Sequence, residues 1–521
     1  MSFTTRRVRE EKKPSQLRRY AAFALPLLRS GVQYYKHFQH AKEEEIQEKR
    51  ERTLKRTTTV LLSIFLVLLL LIGTLKVLVR LKAIAFGMVS IAGVTLPTDS
   101  NGFTNVLLLG EGDNDHSGID LTDTLMVASL DPTKTKSAVL LSIPRDTYVL
   151  STEKMGKDRI NSLFRNYKNS LRHKGMKAPE ASGEALKQLT TEIGTLLGIQ
   201  IHGAVKVNFS GFEQAIDALG GIDIDVPSDI VDTEYPGPNY SYETFQIAKG
   251  PQHLDGATAL KYARTRHSTS DFSRSGRQQQ IITAAAKKVK EGGMIKNAGK
   301  LTELLNIMSK NVQSTFGARE LLGLADMGKK IDTSRIISMQ INDQSGLYGG
   351  SIGPGGFLYS PPRDQFDGAA VLLPVSVPEF PVTWKQIQKL TFLLFTKRDV
   401  FISPPTVTVL NAGAKQGLAG KIGGELYRYG LNVLNTRNYG PKGSPVFDES
   451  FIAINPALLV DTEQSKALLD HVSITSSFLA SLLTLKVGSI SDAAPFEKDG
   501  ADIVIVLGKD FRYTSLQDLI K

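Results

Sequence analysis

The chain has 521 residues, enough for two or three domains, and a formal net charge of +11. Residues 1–56 hold 15 Lys/Arg against 7 Asp/Glu, a net +8, so only about +3 is left for the rest, which argues against a protein that coats nucleic acid. There is no cysteine, which excludes a disulfide framework, a zinc ribbon and thiol catalysis.

Residues 1–57 read as a basic cytoplasmic segment ending in the mixed-charge run KEEEIQEKRERTLKR. Tyr20–Leu28 is apolar but short and contains Pro26, so it reads as surface-lying. Residues 58–75, TTVLLSIFLVLLLLIGTL, carry no charge over 18 positions, and a transmembrane helix is predicted over 58–80. The denser basic cluster precedes the span, so the positive-inside rule puts the N-terminus in the cytoplasm and the bulk of the chain outside. A cleaved signal peptide fits less well, because the charged region before the apolar run is far too long. Residues 81–103 read as a stalk.

A first domain is expected over 104–365. NVLLL (105–109), Thr124–Leu130 and SAVLLSI (137–143) are apolar runs of buried-strand type, separated by the loop EGDNDHSGIDLTD and closed by Pro144-Arg145-Asp146. Leu186, Leu189, Ile193, Leu196 and Leu197 recur at helical spacing over 182–198, with Gly198 as the stop. A strand follows at Ala204–Phe209, then a helix that Ser210 and Glu213 would open as a capping box. Ile222, Ile224 and Val226 alternate with Asp223 and Asp225 as a half-exposed strand, and 228–250 reads as a long surface loop. Alternating strands and helices of this kind indicate an α/β/α sandwich. Residues 366–403 read as a linker. A smaller α/β module is expected over 404–515, with strands at Thr406–Leu410, Leu431–Leu434 and Ala501–Leu507 and a helix at Leu418–Tyr429.

The stretch 259–282 is the one most charged with chemistry. Arg264, Arg266, Arg274 and Arg277 fall within fourteen residues, with Asp271 and Gln278 among them. The flanking apolar residues have helical spacing, so the arginines sit on a loop between two helices, the second starting near Asp271–Ser273. Arg274 and Gln278, four apart, share a helical face. Guanidinium groups gathered at a helix N-terminus make a phosphate clamp, because backbone N–H groups favour an anion and arginine donates two parallel hydrogen bonds. The plainer reading, a solvated basic patch, would be preferred for an isolated Arg-x-Arg.

Taken together, NVLLLG, LTDTLMVASLDP, LLSIPRDTYV, DRINS, GIQIHGAVKVNFSGFEQAIDALGGIDIDVP, LDGATALKYARTRH and DFSRSGRQQQ resemble, in order, the LytR-CpsA-Psr family of cell-wall glycopolymer transferases. The module with VTVLNAGAKQGLA and ADIVIVLGKDF resembles the C-terminal domain often appended to them. The resemblance implies a mixed central sheet sandwiched by helices, with a hydrophobic channel for a polyprenyl chain. It implies an Mg²⁺-assisted phosphotransfer of a glycopolymer from an undecaprenyl-pyrophosphate carrier to peptidoglycan. Asp123 matches the family's metal-binding aspartate, Arg145 a family arginine near the phosphates, and Arg264, Arg266, Arg274 and Gln278 the pyrophosphate clamp. Asp113, Asp115 or Asp120 would supply a second carboxylate, with Asp113 as the metal ligand chosen. The sequence departs from the family where an arginine commonly stands two residues before the metal aspartate: here that residue is Leu121. The missing contact is then absent or supplied elsewhere, with His116 a candidate in the same loop.

Plainer readings stand beside these. Arg277 reads as a salt-bridging surface residue, His116 as a loop residue, Asp146 as a local partner of Arg145, and the Leu186–Leu197 stripe as ordinary core. Two other functions fit the same residues: a polyprenyl pyrophosphate phosphatase, and a non-catalytic envelope protein that binds lipid-linked polymer. A membrane-bound transcription regulator fails on topology.

Overall fold

The structure is a computed structural model describing residues 96–112, 119–237, 241–265, most helical positions between 274 and 288, parts of 311–342, and 356–375, 382–440, 446–455, 463–488 and 500–521. The expected span at 58–80 and most of the stalk lie outside these residues. Among the described residues no helix is long and apolar enough to cross a membrane.

Three strands, β1 (Thr104–Glu111), β2 (Thr122–Asp131) and β3 (Ser137–Ile143), form an antiparallel meander. They are buried on both faces, as strands covered by helices on either side must be. A two-residue pair, β4 (Tyr148–Val149) with β5 (Asp158–Arg159), leads into helices α1 (Ile160–His173) and α2 (Ala178–Leu197). After β6 (Gly203–Asn208) come α3 (Phe209–Ala218), β7 (Ile222–Val226), β8 (Ile230–Pro236), β9 (Tyr242–Ile247), β10 (Gly250–Leu254) and α4 (Gly256–Arg264). With β11 (Val312–Ser314) and β12 (Ile336–Gln340) the sheet order is β11-β6-β1-β2-β3-β12. β6 is parallel to β1 and β12 to β3, so the sheet is mixed.

Alternation along the strands sorts the core into two faces. Leu107, Leu109, Leu125 and Val127 pack on α1 and α2, whereas Val106, Leu108, Met126 and Ala128 pack toward α3, α4 and the helical stretch at 281–285. The architecture is therefore an α/β/α sandwich, and the Leu186–Leu197 stripe is ordinary core on the α2 face.

Local readings shift in three places. The helix after β6 is opened by Asn208, whose side chain accepts a hydrogen bond from Gly211 N at 2.9 Å, and not by Ser210. Residues 228–250 are not a plain loop: β8 and β9 pair as a hairpin, because Ile230, Asp232, Tyr235, Phe245 and Ile247 alternate inward. Helix α1 was not expected at all. Its apolar face, Ile160, Leu163, Phe164, Tyr167 and Leu171, is interleaved with Asn, Ser, Arg and Lys.

Toward the C-terminus, β13 (Leu358–Tyr359) and β14 (Leu373–Pro374) pair, and α5 (Lys385–Thr396) and α6 (Arg398–Phe401) follow where a linker was expected. The last module has β15 (Thr406–Asn411), α7 (Leu418–Arg428), β16 (Asn432–Asn438), β17 (Phe451–Ile454), α8 (Glu463–Leu483), β18 (Lys486–Val487) and β19 (Ile503–Leu507). Its sheet order is β16-β15-β19-β17-β18, an α/β module as expected.

Candidate functional site

The site forms where β1 and β2 end. Their register shifts between Gly110 and Glu111: Gly110 faces Thr124 and Glu111 faces Thr122, so Asp123 is the extra residue of a bulge. A bulge bends the strand and re-aims its side chain. Gly110 suits this spot, because a Cβ there would lie 3.1 Å from the Thr124 Cβ. The Asp123 carboxylate is held from two sides. Its Oδ2 pairs with Arg145 Nη1 at 2.9 Å, and its Oδ1 accepts a hydrogen bond from Asn161 Nδ2 at 3.0 Å.

Arg145 follows Pro144 at the end of β3, and its Nε lies 3.6 Å from Asp146 Oδ2, too far for a hydrogen bond. That Nε is buried and makes no hydrogen bond among the described residues. Asp146 Oδ1 also stands 3.6 Å from Arg159 Nη1. Asp146 thus pairs with Arg145, as its sequence position suggested, and with Arg159 as well. Asn161 and Arg159 come from DRINS at the start of α1. Nothing in their spacing marked them as neighbours of Asp123, 38 residues away in the case of Asn161.

Thr124 points to the other face of the sheet, where its Oγ1 accepts a hydrogen bond from Gln278 Nε2 at 3.3 Å. It stands at the rim of a cleft that runs between the sheet and helices α3 and α4. The wall is apolar, with Met126, Val205, Phe212, Leu219, Leu260 and Ile281 along it, while Glu111, Thr124, Arg264 and Gln278 are among its few polar residues. Arg264 is the last residue of α4 and not part of an extended loop. Its guanidinium lies 4.3 Å from the Phe209 ring centre and donates to the Tyr235 hydroxyl at 3.1 Å. Arg274 stands half-buried one helical turn before Gln278. Arg266, Asp113, Asp115 and His116 lie outside the described residues.

Two charges of the stretch have other duties. Arg277 is buried, 4% exposed, and is no surface residue: its Nε donates to Tyr262 O at 2.8 Å and its Nη2 to Thr265 O, tying off the end of α4. Asp120 adopts φ 60° and is held by Lys168 at 2.7 Å. Beside it, Glu111 Oε2 and Lys206 Nζ form a buried pair at 2.5 Å, with the ammonium 4.3 Å from the Phe164 ring centre. Burial raises the Glu111 carboxyl and lowers the Lys206 ammonium from their ordinary values, each shift opposed by the partner's charge.

An apolar cleft with cationic and hydrogen-bonding groups at its rim suits an amphiphile: an acyl or prenyl tail inside and an anionic head at the rim. Among the described residues no cluster of three or more His, Cys, Asp or Glu could hold a metal ion. A cation there would have one described carboxylate, Asp123. That still fits Mg²⁺, which is commonly bound by one or two carboxylates together with substrate phosphate oxygens and water.

Fold and site together define an α/β/α protein with an arginine-bearing polar rim over a deep apolar cleft. The chain belongs to the LytR_cpsA_psr family, whose pattern matches residues 81–364. Residues 405–511 match a second family described as LytR cell envelope-related transcriptional attenuator. Similar proteins include the polyisoprenyl-teichoic acid–peptidoglycan teichoic acid transferase TagU of Oceanobacillus iheyensis, 32% identical over 219 residues, 42% of this chain and 60% of that protein. TagV of Bacillus subtilis, a transferase of the same description, is 32% identical over 46% of this chain and 56% of its own length. The cell wall biosynthesis protein LcpA of Corynebacterium glutamicum is 29% identical over 47% of this chain and 48% of its own length. The chain thus spans about half to three fifths of the curated relatives it matches.

Proposed function

We propose that the chain is a membrane-anchored phosphotransferase that moves a glycopolymer from an undecaprenyl-pyrophosphate carrier onto peptidoglycan, outside the cytoplasmic membrane. The observation that carries this reading is an apolar cleft with Arg264 and Gln278 at its rim, next to the Asp123–Arg145 pair at the end of β2. The transferase names of TagU and TagV support the reaction class. The uncharged stretch 58–75 supports the anchor.

In this reading the prenyl tail fills the cleft and the diphosphate lies on the rim. Arg145, Arg264, Arg266 and Arg274 neutralise the phosphate oxygens, and Gln278 orients one of them. Asp123 would hold Mg²⁺, with Asp113 as its second carboxylate, and the ion would supply charge neutralisation at the phosphates. Asn161 fixes the Asp123 carboxylate, and Arg145 Nε, which makes no hydrogen bond among the described residues, can donate one to a phosphate oxygen. Burial around the cleft lowers the local dielectric, which strengthens each of these contacts.

The test uses the full chain in detergent with a polyprenyl-diphosphate-linked saccharide, with and without Mg²⁺, following lipid monophosphate release and bound lipid together. A charged hydrogen bond contributes roughly 1.5–3 kcal/mol, so Arg264→Ala or Arg145→Ala should slow turnover about 10- to 100-fold. Asp123→Ala should abolish metal dependence while lipid binding persists. Tight binding without turnover under any metal would turn the reading to a carrier of lipid-linked polymer.

A further inference from the structure

The rim of the cleft is only one side of the sheet edge. Thr124 and the bulged Asp123 are consecutive residues of β2, and their side chains find partners on opposite sides: Thr124 meets Gln278 over the cleft, while Asp123 meets Asn161 at the start of α1. A lipid tail seated in the cleft puts the lipid phosphate, the leaving group, on the Thr124 side. In phosphoryl transfer the entering and leaving oxygens stand roughly in line across phosphorus. The acceptor must then enter from the Asp123 side, beside α1.

The surface on that side is built by the β4–β5 pair, where Tyr148 faces Arg159 and Val149 faces Asp158. Asp158 Oδ2 accepts a hydrogen bond from Asn166 Nδ2 at 2.7 Å, and Asn166 Oδ1 accepts one from Arg165 Nε at 3.3 Å. The Tyr148 ring packs edge-on against Phe366, centroids 4.9 Å apart. Arg159 joins this surface to Asp146, and Asp146 joins it to Arg145. Burial, with Asp158 and Asp367 close by, raises the Tyr148 phenol. The phenol therefore stays protonated, with a donor to offer. Carboxylates, a carboxamide, a phenol and a ring edge match the hydroxyls and apolar faces of a sugar. Asp146, Asp158 and Asp367 make the same surface a poor place for a second phosphate.

We infer that Tyr148, Asp158 and Asn166 form the subsite for the acceptor saccharide, on the face of the sheet edge opposite the lipid cleft. The inference rests on the functional reading above. In the step it serves, the acceptor hydroxyl oxygen bonds to the phosphorus that carries the polymer. The bond from that phosphorus to the bridging oxygen breaks, its electron pair leaves on the lipid monophosphate, and the hydroxyl proton passes to the Asp146 carboxylate.

The experiment uses the full chain in detergent, a polyprenyl-diphosphate-linked saccharide donor and a soluble peptidoglycan glycan fragment as acceptor. It compares the parent with Asn166→Ala and Asp158→Asn. Asn166 is exposed and Asp158 half-buried, so both variants should keep the parent's unfolding midpoint. Each lost hydrogen bond should raise the acceptor KM about 3- to 10-fold, with the donor KM moved less than about 2-fold. A raised donor KM with an unmoved acceptor KM would place the polymer's own first sugar here and overturn the assignment. No change in either constant would also overturn it. Direct binding of the glycan fragment, read by calorimetry without donor, separates this inference from the functional reading. Fragment binding that weakens in Asn166→Ala supports the subsite even if the parent turns over no donor. A parent that binds no fragment and transfers to none sinks it.

Discussion

Asp123 owes its place to two neighbours, and the neighbours can be removed one at a time. Asn161 is 3% exposed and donates to the Asp123 carboxylate, a bond to a charged group. Asn161→Ala should therefore destabilise the protein by about 1.5–3 kcal/mol and lower turnover by shifting kcat more than donor KM, checked by thermal unfolding and steady-state kinetics. The Glu111–Lys206 pair is a sharper case. Lys206→Met leaves a buried carboxylate without its partner, which costs about 3–5 kcal/mol, whereas adding Glu111→Gln should restore most of it. A double-mutant cycle by denaturant unfolding that showed no coupling would refute the pairing. Asp131 contributes to the acid limb of stability, beside Asp223 and Asp255, whose carboxyls are also lowered. Burial raises its pKa, but the Thr135 hydroxyl and the N–H groups of Thr135, Lys134 and Thr133 outweigh that and hold it below the usual 3.8. A carboxyl depressed in the folded state gives stability that is present above the unfolded pKa and lost as pH falls through the folded one. Unfolding followed from pH 5 downward should thus show a loss below about pH 4 that Asp131→Asn makes smaller.

At the scale of elements, the cleft depends on how closely α3 and α4 approach. Gly256 opens α4, and a Cβ there would lie 2.2 Å from the Glu213 carbonyl oxygen, a backbone atom that cannot swing away. Gly256→Ala should force the two helices apart at a cost of about 1–3 kcal/mol, read as a lower unfolding midpoint and weaker lipid binding together. An unchanged midpoint would mean the helices are free to slide. The hairpin of β8 and β9 carries Tyr235 to Arg264, so the region expected as a loop supports the cleft rim. Its pattern was present in the sequence, since Ile230, Asp232 and Tyr235 turn inward. The Pro, Gly and Tyr content at its tip hid that pattern. The strands of the central sheet were legible because their apolar runs are continuous, and α2 because its stripe is long. Helix α1 went unread although Ile160, Leu163, Phe164, Tyr167 and Leu171 recur at helical spacing, because seven Asn, Ser, Arg and Lys residues interleave them.

At the scale of the whole molecule, the two family-matched regions share one core. Leu107, Leu186 and Leu197 belong to the same buried cluster as Leu390, Leu394, Val407, Ile422 and Ile505. Helices α5 and α6 make the join. Arg398, 1% exposed, donates to Phe395 O at 2.8 Å, to Ser129 O at 3.2 Å and to Ser129 Oγ, with its guanidinium 3.8 Å from the Phe103 ring centre. Arg335 pairs with Asp399 at 2.8 Å. A chain cut after residue 381 would expose the α2 face of the sandwich. It should aggregate or unfold at a much lower temperature than the full chain, which calorimetry should show melting in a single transition across 96–521. Two separate transitions would refute the shared core.

Features that act over short distances were legible in the chain. Apolar runs placed the strands, helical spacing placed α2, and ordered motifs carried the family and named acidic and basic candidates for the site. Which of those residues meet depends on how distant segments pack. Asp123 and Asn161 are joined by a bulge and a crossover, Gln278 and Thr124 by a helix laid on the sheet, and Arg277 is drawn inside by the carbonyls it satisfies. Side-chain direction at a strand end depends on a one-residue register shift. That shift is fixed by packing against distant segments and leaves no mark in local composition.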